Sequence, residues 1–167
     1  LRDDLYWSDG SRVTADDVAF TFETVRALTL GGSWEESYPT IVESVHADSP
    51  TELRFEFSTR PTLGVWPHAV GLAPIMSARY WGDLASGSSA QDLYAMSGIE
   101  DPASGPLRLE SVDDSLIVSR RNPGYPLADP PEVVEYNVFE IEAEAVEALD
   151  QGQVDYVLSP KGLTAEL

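Results

Sequence analysis

Apolar residues change their spacing several times along the chain, and each change marks an element. From Thr14 to Leu30 they recur every three or four positions, with Ala15, Val18, Phe22 and Val25 on one face and Phe20 on the opposite one, so a helix covered on more than one side is expected over 14–30. Gly31 and Gly32 supply its stop. Over 43–57 the period falls to two. Leu53, Phe55 and Phe57 alternate with Glu52, Arg54 and Glu56, and Asp48-Ser49-Pro50-Thr51 is a turn, which predicts a hairpin with one core face and one wet face. The Pro- and Gly-rich stretch from Thr59 to Pro74 reads as an irregular segment over the body of the fold. Ala85 to Ala90 reads as a loose connection, and a short helix is expected from Ala90 to Met96.

Asp101-Pro102-Ala103-Ser104-Gly105-Pro106 punctuates the chain a second time and is the expected crossover between two domains. Beyond it, Leu107 to Val112 and Ser115 to Arg120 flank Asp113-Asp114 and read as a hairpin in which Leu109 faces Val118. Val133 to Phe139 is a β-branched and aromatic strand. Ala143 to Gln151 is a helix turning Ala145, Ala148 and Leu149 inward, with Gly152 past its end, and Val154 to Leu158 is an apolar strand. Strand, helix and strand in that order predict a parallel crossover. The fold class is thus α/β, of the mixed α+β kind. Residues 1–100 form a small α+β domain (helix 14–30, hairpin 43–57), and residues 101–167 form part of a larger α/β lobe (hairpin 107–120, strand-helix-strand 133–158).

Charge narrows the partners. Asp and Glu number 29 against 10 Lys and Arg, a formal charge of −19, and Lys161 is the single lysine. Such a surface repels phosphate backbones and anionic lipid, so nucleic acid is not expected as a partner, and the acidity serves solubility. No apolar run approaches the ~20 residues of a membrane-spanning helix. The chain has no cysteine and only His46 and His68, so neither disulfides nor a nitrogen-rich metal site is expected, and no cofactor. His46 falls in an alternating run and reads as an exposed strand residue; His68, in Trp66-Pro67-His68, lies in a loop and is a candidate contact. Nucleophile elbow, zinc-protease, phosphate-loop and dinucleotide motifs are all missing. Adjacent carboxylates such as Asp16-Asp17, Glu35-Glu36 and Asp113-Asp114 point apart, so a hydrolase built on two of them would be an enzyme without a motif, and no catalytic residue is expected.

Trp7-Ser8-Asp9-Gly10-Ser11-Arg12-Val13-Thr14-Ala15-Asp16-Asp17-Val18 reads, in itself, as a tight turn followed by a helix start: Thr14 is an N-cap and Asp17 lies three positions on. The stretch also resembles the signature of the family 5 extracellular solute-binding proteins of ABC importers. So, in order, do Pro74-Ile75-Met76-Ser77-Ala78-Arg79-Tyr80-Trp81, Ser104-Gly105-Pro106-Leu107, Arg121-Asn122-Pro123-Gly124-Tyr125 and Ala148-Leu149-Asp150-Gln151-Gly152-Gln153-Val154-Asp155. The chain departs from the family pattern at Leu107, where an aromatic is usual, and at Pro126, where Trp is usual.

The resemblance implies a portion of a periplasmic-binding-protein type II-like fold within a longer, extracytoplasmic, monomeric protein of the periplasm or cell surface. The leader and any lipid anchor would lie outside these residues. It further implies a binding module without chemistry of its own, which takes up a peptide or other small solute and docks on a membrane permease. Oligopeptide or dipeptide is the expected ligand, with nickel chelate, sugar or opine as alternatives within the family. For the wall of the cleft the expected residues are Val70, Gly71, Leu72, Ala73, Ser104 and Gly105, with Trp66 and His68. Trp7, Asp9, Gly10, Thr14, Asp16 and Asp17 are expected to fix a turn and helix start, and Gly152 and Asp155 a helix end.

Overall fold

The computed structural model describes residues 1–28, 41–64, 70–95, 98–127 and 129–158. Helix α1 (Ala15–Leu28) lies on a hairpin of β1 (Val42–Ser49) and β2 (Glu52–Phe57). The face expected to be apolar is the one that is buried: Val18, Phe22 and Val25 meet Val42 and Val45 from β1, with Leu53, Phe55 and Phe57 of β2 packed against them. Phe22 meets Phe55 edge-on at a centroid distance of 5.4 Å, and Phe55 stacks on Phe57 at 6.3 Å, both favourable ring geometries. Phe20, on the other side of α1, is half-buried. The expected glycine stop of this helix falls outside the described residues.

A second stripe of α1 is buried and polar: Asp17, Thr21 and Thr24 are each less than 9% exposed. Residues 73–78 run beside this stripe and use it. Thr21 Oγ1 donates to Asp17 O at 2.7 Å and accepts from the Met76 amide at 2.8 Å, while Asp17 Oδ1 accepts from the Ala78 amide at 2.8 Å. Asp17 Oδ2 accepts from the Thr14 amide at 2.8 Å, from Thr14 Oγ1 at 3.3 Å and from Trp7 Nε1 at 3.3 Å. One buried carboxylate thus closes the N-terminus of α1, fixes the indole of Trp7 and receives the incoming chain. The carboxylate half of a capping box is present, but the threonine hydroxyl donates its hydrogen bond to that carboxylate. Asp16, its neighbour, is exposed in the first turn. The Ala15 amide donates to Pro50 O at 2.9 Å, which sets the helix start against the hairpin turn.

Ser77, fully buried, caps α2 (Ala78–Ala85) through its hydroxyl and the Tyr80 amide. Trp81 is 9% exposed, and its Nε1 donates to Asp101 Oδ1 at 2.8 Å. Burial pushes the Asp101 carboxyl above the usual range, with the indole hydrogen bond opposing. A five-residue helix, α3 (Ala90–Tyr94), starts with a capping box of Ser89 and Asp92. Met96, the expected end of this helix, lies outside the described residues.

Strands β3 (Leu107–Val112), β4 (Leu116–Arg121) and β5 (Val133–Asn137) make an antiparallel sheet in that order. The Asp113 carboxylate accepts from the Ser115 and Leu116 amides and holds the β3–β4 turn. The expected pairing of Leu109 with Val118 is not the one formed: Leu109 opposes Ser119 and Ser111 opposes Val118, because Glu110 is an extra residue at a bulge. The Glu110 carboxylate takes a bidentate pair from Arg120 at 2.9 and 2.8 Å. Helix α4 (Glu142–Asp150) ends in a Schellman arrangement, with Gly152 at φ +67° donating to Leu149 O and Gln153 to Ala148 O. Ala145 and Ala148 are buried, but Leu149 is 38% exposed, contrary to expectation, since the inward stripe is only as wide as the two alanines. Val154–Leu158 is not a strand, and no parallel crossover forms among the described residues. A strand exists only where a partner supplies its hydrogen bonds, and none reaches this one.

Two outcomes follow for stability. Asp17→Asn puts an amide NH2 where one set of donors needs an acceptor, so urea unfolding should show a loss of about 2–3 kcal/mol. Asp16→Asn, on the exposed side, should stay within about 0.5 kcal/mol; equal effects would remove Asp17 from its central role. Asp101 titrates above its unfolded value, so its favourable contribution is complete below the unfolded pKa and is lost as pH rises through the folded one. Asp101→Asn keeps the acceptor for Trp81 and should therefore raise the melting temperature at pH 7, by the equivalent of about 0.5 kcal/mol for a half-open group. The gain should shrink as pH falls toward 4, roughly the unfolded carboxylate value.

Candidate functional site

The segment that joins the two sheets is clamped from both sides. Its Ala103 exchanges two hydrogen bonds with Ser8 of the first turn: the Ser8 amide donates to Ala103 O at 2.8 Å and the Ala103 amide to Ser8 Oγ at 3.1 Å. From the other side comes Asn122, at the end of β4 and 1% exposed. Its Nδ2 donates to Ala103 O at 3.0 Å and Gly105 O at 2.9 Å, its own amide donates to Pro106 O, and its Oδ1 accepts from the Gly124 amide at 3.0 Å. Every hydrogen-bonding group of this side chain is used, which is the condition for burying an amide without loss. A side chain at Gly124 would meet Asn122 Oδ1 at 3.4 Å and Tyr6 Cβ at 3.5 Å, so the Asn-Pro-Gly turn packs directly onto the first turn.

That first turn is itself built by Asp9 and Gly10. Asp9 Oδ1 accepts from the Ser11 amide at 2.8 Å and Ser11 Oγ at 2.6 Å, and these bonds hold its carboxyl below the usual range; Gly10 sits at φ +83°, the left-handed region that glycine enters at no steric cost. Trp7 is 2% exposed. Between this turn and the crossover lies a recess of about 200 Å³, lined among others by Ser8, Asp9, Glu100, Asp101, Arg108 and Leu109. It is small and acidic, and among the described residues none of its lining side chains is a nucleophile hydrogen-bonded to a base. Among the described residues no group of three or more His, Asp and Glu could hold a metal ion.

The residues expected in a ligand wall are distributed unevenly. Val70 and Ala73 turn onto the core beneath α1, whereas Gly71 and Leu72 face outward, Leu72 at 66% exposure. Ser104 and Gly105 are half-buried within the clamp. The two stretches are held by different anchors, the α1 core for one and Ser8 with Asn122 for the other. Trp66 and His68 lie outside the described residues. His46 is exposed, 3.0 Å from Ser44 Oγ and 3.9 Å from Glu56. Asp155 is exposed beyond the helix end that Gly152 forms. The roles of Thr21, Ser8 and Asn122 escaped the sequence reading. Asn122 carried one usable signal, a turn-forming Asn-Pro-Gly directly after a strand.

Known proteins share this architecture. A Thermotoga maritima periplasmic oligopeptide-binding protein of an ABC transporter, solved with mannohexaose, superposes with a TM-score of 0.76 at 28% identity over 96% of this chain and 30% of that one. Oligopeptide-binding AppA of Bacillus subtilis, in complex with a nonapeptide, gives 0.78 at 21% identity over 92% of this chain and 30% of that one. Campylobacter jejuni NikZ, in complex with Ni(L-His), gives 0.74 at 17% identity with the same two shares. The oligopeptide-binding protein OppA of Lactococcus lactis is 51% identical over 43 residues, 25% of this chain and 7% of that protein. The chain thus covers less than a third of the length of these relatives. Its architecture is a portion of the periplasmic-binding-protein type II fold, of the mixed α/β class. A family model matches it from residue 1 to residue 167, and the chain belongs to the bacterial extracellular solute-binding proteins, family 5, in the part described as Middle.

Proposed function

We propose that this chain is part of an extracytoplasmic receptor that captures short peptides and delivers them to an ABC permease. The observation that carries the reading is the 43-residue stretch 51% identical to an oligopeptide-binding protein. The relative with mannohexaose bound, at 28% identity, supports an oligosaccharide as the second reading.

On this reading the chain binds and does no chemistry, acting as a monomer. Residues 1–100 form the small domain and residues 101–167 part of the main lobe, joined at the clamp of Ser8, Ala103 and Asn122. On this reading the exposed Gly71 and Leu72 form a lip of the cleft, and Ser104 and Gly105, with Trp66 and His68, contribute to its wall. Peptides are gripped through main-chain groups, and water bridges to their side chains make the binding tolerant of sequence. A rigid wall suits that task, because a receptor that has already ordered its cleft loses less entropy on binding.

Native mass spectrometry of the complete protein, gently purified, tests the ligand class. A heterogeneous set of adducts of short-peptide mass is expected. A ladder of hexose masses would transfer the reading to oligosaccharides, and a single discrete mass to a chelate or an opine. Leu72→Asp should weaken peptide binding about tenfold by calorimetry, with the melting temperature unchanged; unchanged affinity would remove the lip from the cleft.

A further inference from the structure

The turn that anchors the crossover contains the most reactive backbone pair in the sequence. Asp9-Gly10 is the one place where aspartate precedes glycine, and neither asparagine precedes one. In such a pair the glycine amide nitrogen can attack the aspartate Cγ. A nitrogen–Cγ bond forms, and a carboxyl oxygen leaves as water, taking the amide proton with it. The product is a five-membered succinimide. Water then reopens this ring, and opening at the former backbone carbonyl sends the main chain through Cβ as isoaspartate, with no change in oxidation state. Glycine is the residue that obstructs the attack least, having no Cβ and a freely turning backbone.

The fold requires this pair and also disarms it. Position 10, at φ +83°, takes glycine, and Asp9 supplies the short acceptor that holds Ser11. Both residues are exposed to water. The attacking nitrogen, however, is engaged: Gly10 N donates to Trp7 O at 2.9 Å, and Trp7 is fixed in place with 2% of its surface exposed. The carboxyl is engaged as well. Asp9 Oδ1 accepts from Ser11 Oγ at 2.6 Å and from the Ser11 amide at 2.8 Å, and these bonds, with Arg79 of α2 adding to them, favour the ionised form, which lacks a good leaving group. Asp113 makes the same two contacts with Ser115, but Asp114 follows it, so the same kind of turn recurs without the reactive pair.

We propose that Asp9-Gly10 is an isoaspartate site held latent by the folded turn, with Ser11 as the positioning residue that keeps it so. An extra main-chain carbon at this bond would break the fit by which the Trp7 amide donates to Ser11 O at 2.8 Å, and would shift Ser8 from its two bonds with Ala103. Conversion at one peptide bond would thus release the crossover from one of its two clamps. The inference is independent of which solute is bound.

Ageing of the complete protein at fixed pH, well below the melting temperature of each variant, tests the site. Tryptic peptide 3–12 in its isoaspartyl form keeps its mass and changes its chromatographic retention, so the fraction converted is read directly. Folded wild type is expected to convert at least ~10-fold more slowly than the same protein unfolded in guanidinium. Ser11→Ala should convert about fivefold faster than folded wild type through loss of one hydrogen bond to the carboxylate, and Ser11→Thr, which keeps the hydroxyl, at the wild-type rate. Ser115→Ala removes the matching hydroxyl from the Asp113 turn and should leave conversion at Asp9 unchanged. Equal rates in the folded and unfolded states would overturn the proposal. So would Ser11→Ala converting at the wild-type rate, Ser11→Thr converting as fast as Ser11→Ala, or Ser115→Ala giving the same acceleration.

Discussion

A buried carboxylate, Asp17, is the point on which the first half of this structure turns. It accepts four hydrogen bonds from three different segments: the indole of Trp7, the amide and hydroxyl of Thr14, and the amide of Ala78. An isolated carboxylate is costly to bury, and this one is tolerable because its two oxygens meet four donors and lie at the N-terminal end of α1, where the helix dipole favours negative charge. The same arrangement makes geometry non-negotiable. A carboxylate buried with donors missing would cost more than leaving it exposed, so the turn, the helix and residues 73–78 must reach their places together. Thr21 extends the network by a turn of helix and fixes Met76.

Asn122 repeats the principle with an uncharged side chain. Where Asp17 gathers donors, Asn122 gives two and accepts one, and with Ser8 it engages both backbone groups of Ala103 and the carbonyls of Gly105 and Pro106 in the crossover. The consequence is a junction between the two sheets that is hydrogen-bonded from both sides. Ala103 is held by Ser8 on one side and by Asn122 on the other, and Gly105 by Asn122.

Periodicity made the apolar side of the fold readable from the sequence. Ala15, Val18, Phe22 and Val25 occupy the face that three-and-four spacing assigns them, and Leu53, Phe55 and Phe57 alternate as a half-buried strand should. Polar burial was not readable in the same way. Thr21 and Thr24 look like ordinary helix-surface residues until residues 73–78 arrive beside them, and nothing local in the sequence announces a neighbour fifty-odd positions away. Asp16 and Asp17 are chemically equal in the sequence; only the angle each takes around the helix separates a solvated side chain from the hub of the network. The register slip at Glu110 was hidden for a related reason, since a bulge leaves the alternation intact on both sides and shifts only the pairing.

The second half shows why a correct local pattern can fail to become structure. Val154 to Leu158 has the composition of a strand, yet strands are stabilised in pairs, and among the described residues none pairs with it. The burial pattern agrees. The first half encloses Phe22 completely, whereas beyond residue 101 the buried residues among those described are small or polar, namely Pro102, Ser119, Asn122, Ala145 and Ala148. A sheet with so little enclosed apolar surface does not hold its shape by hydrophobic burial alone. In these residues its order rests on the β3–β4 ladder, the Asp113 turn, the Arg120–Glu110 pair and the Asn122 clamp. The apolar side chains of Val138, Tyr156 and Leu158 stay exposed, outside any enclosed core among the described residues.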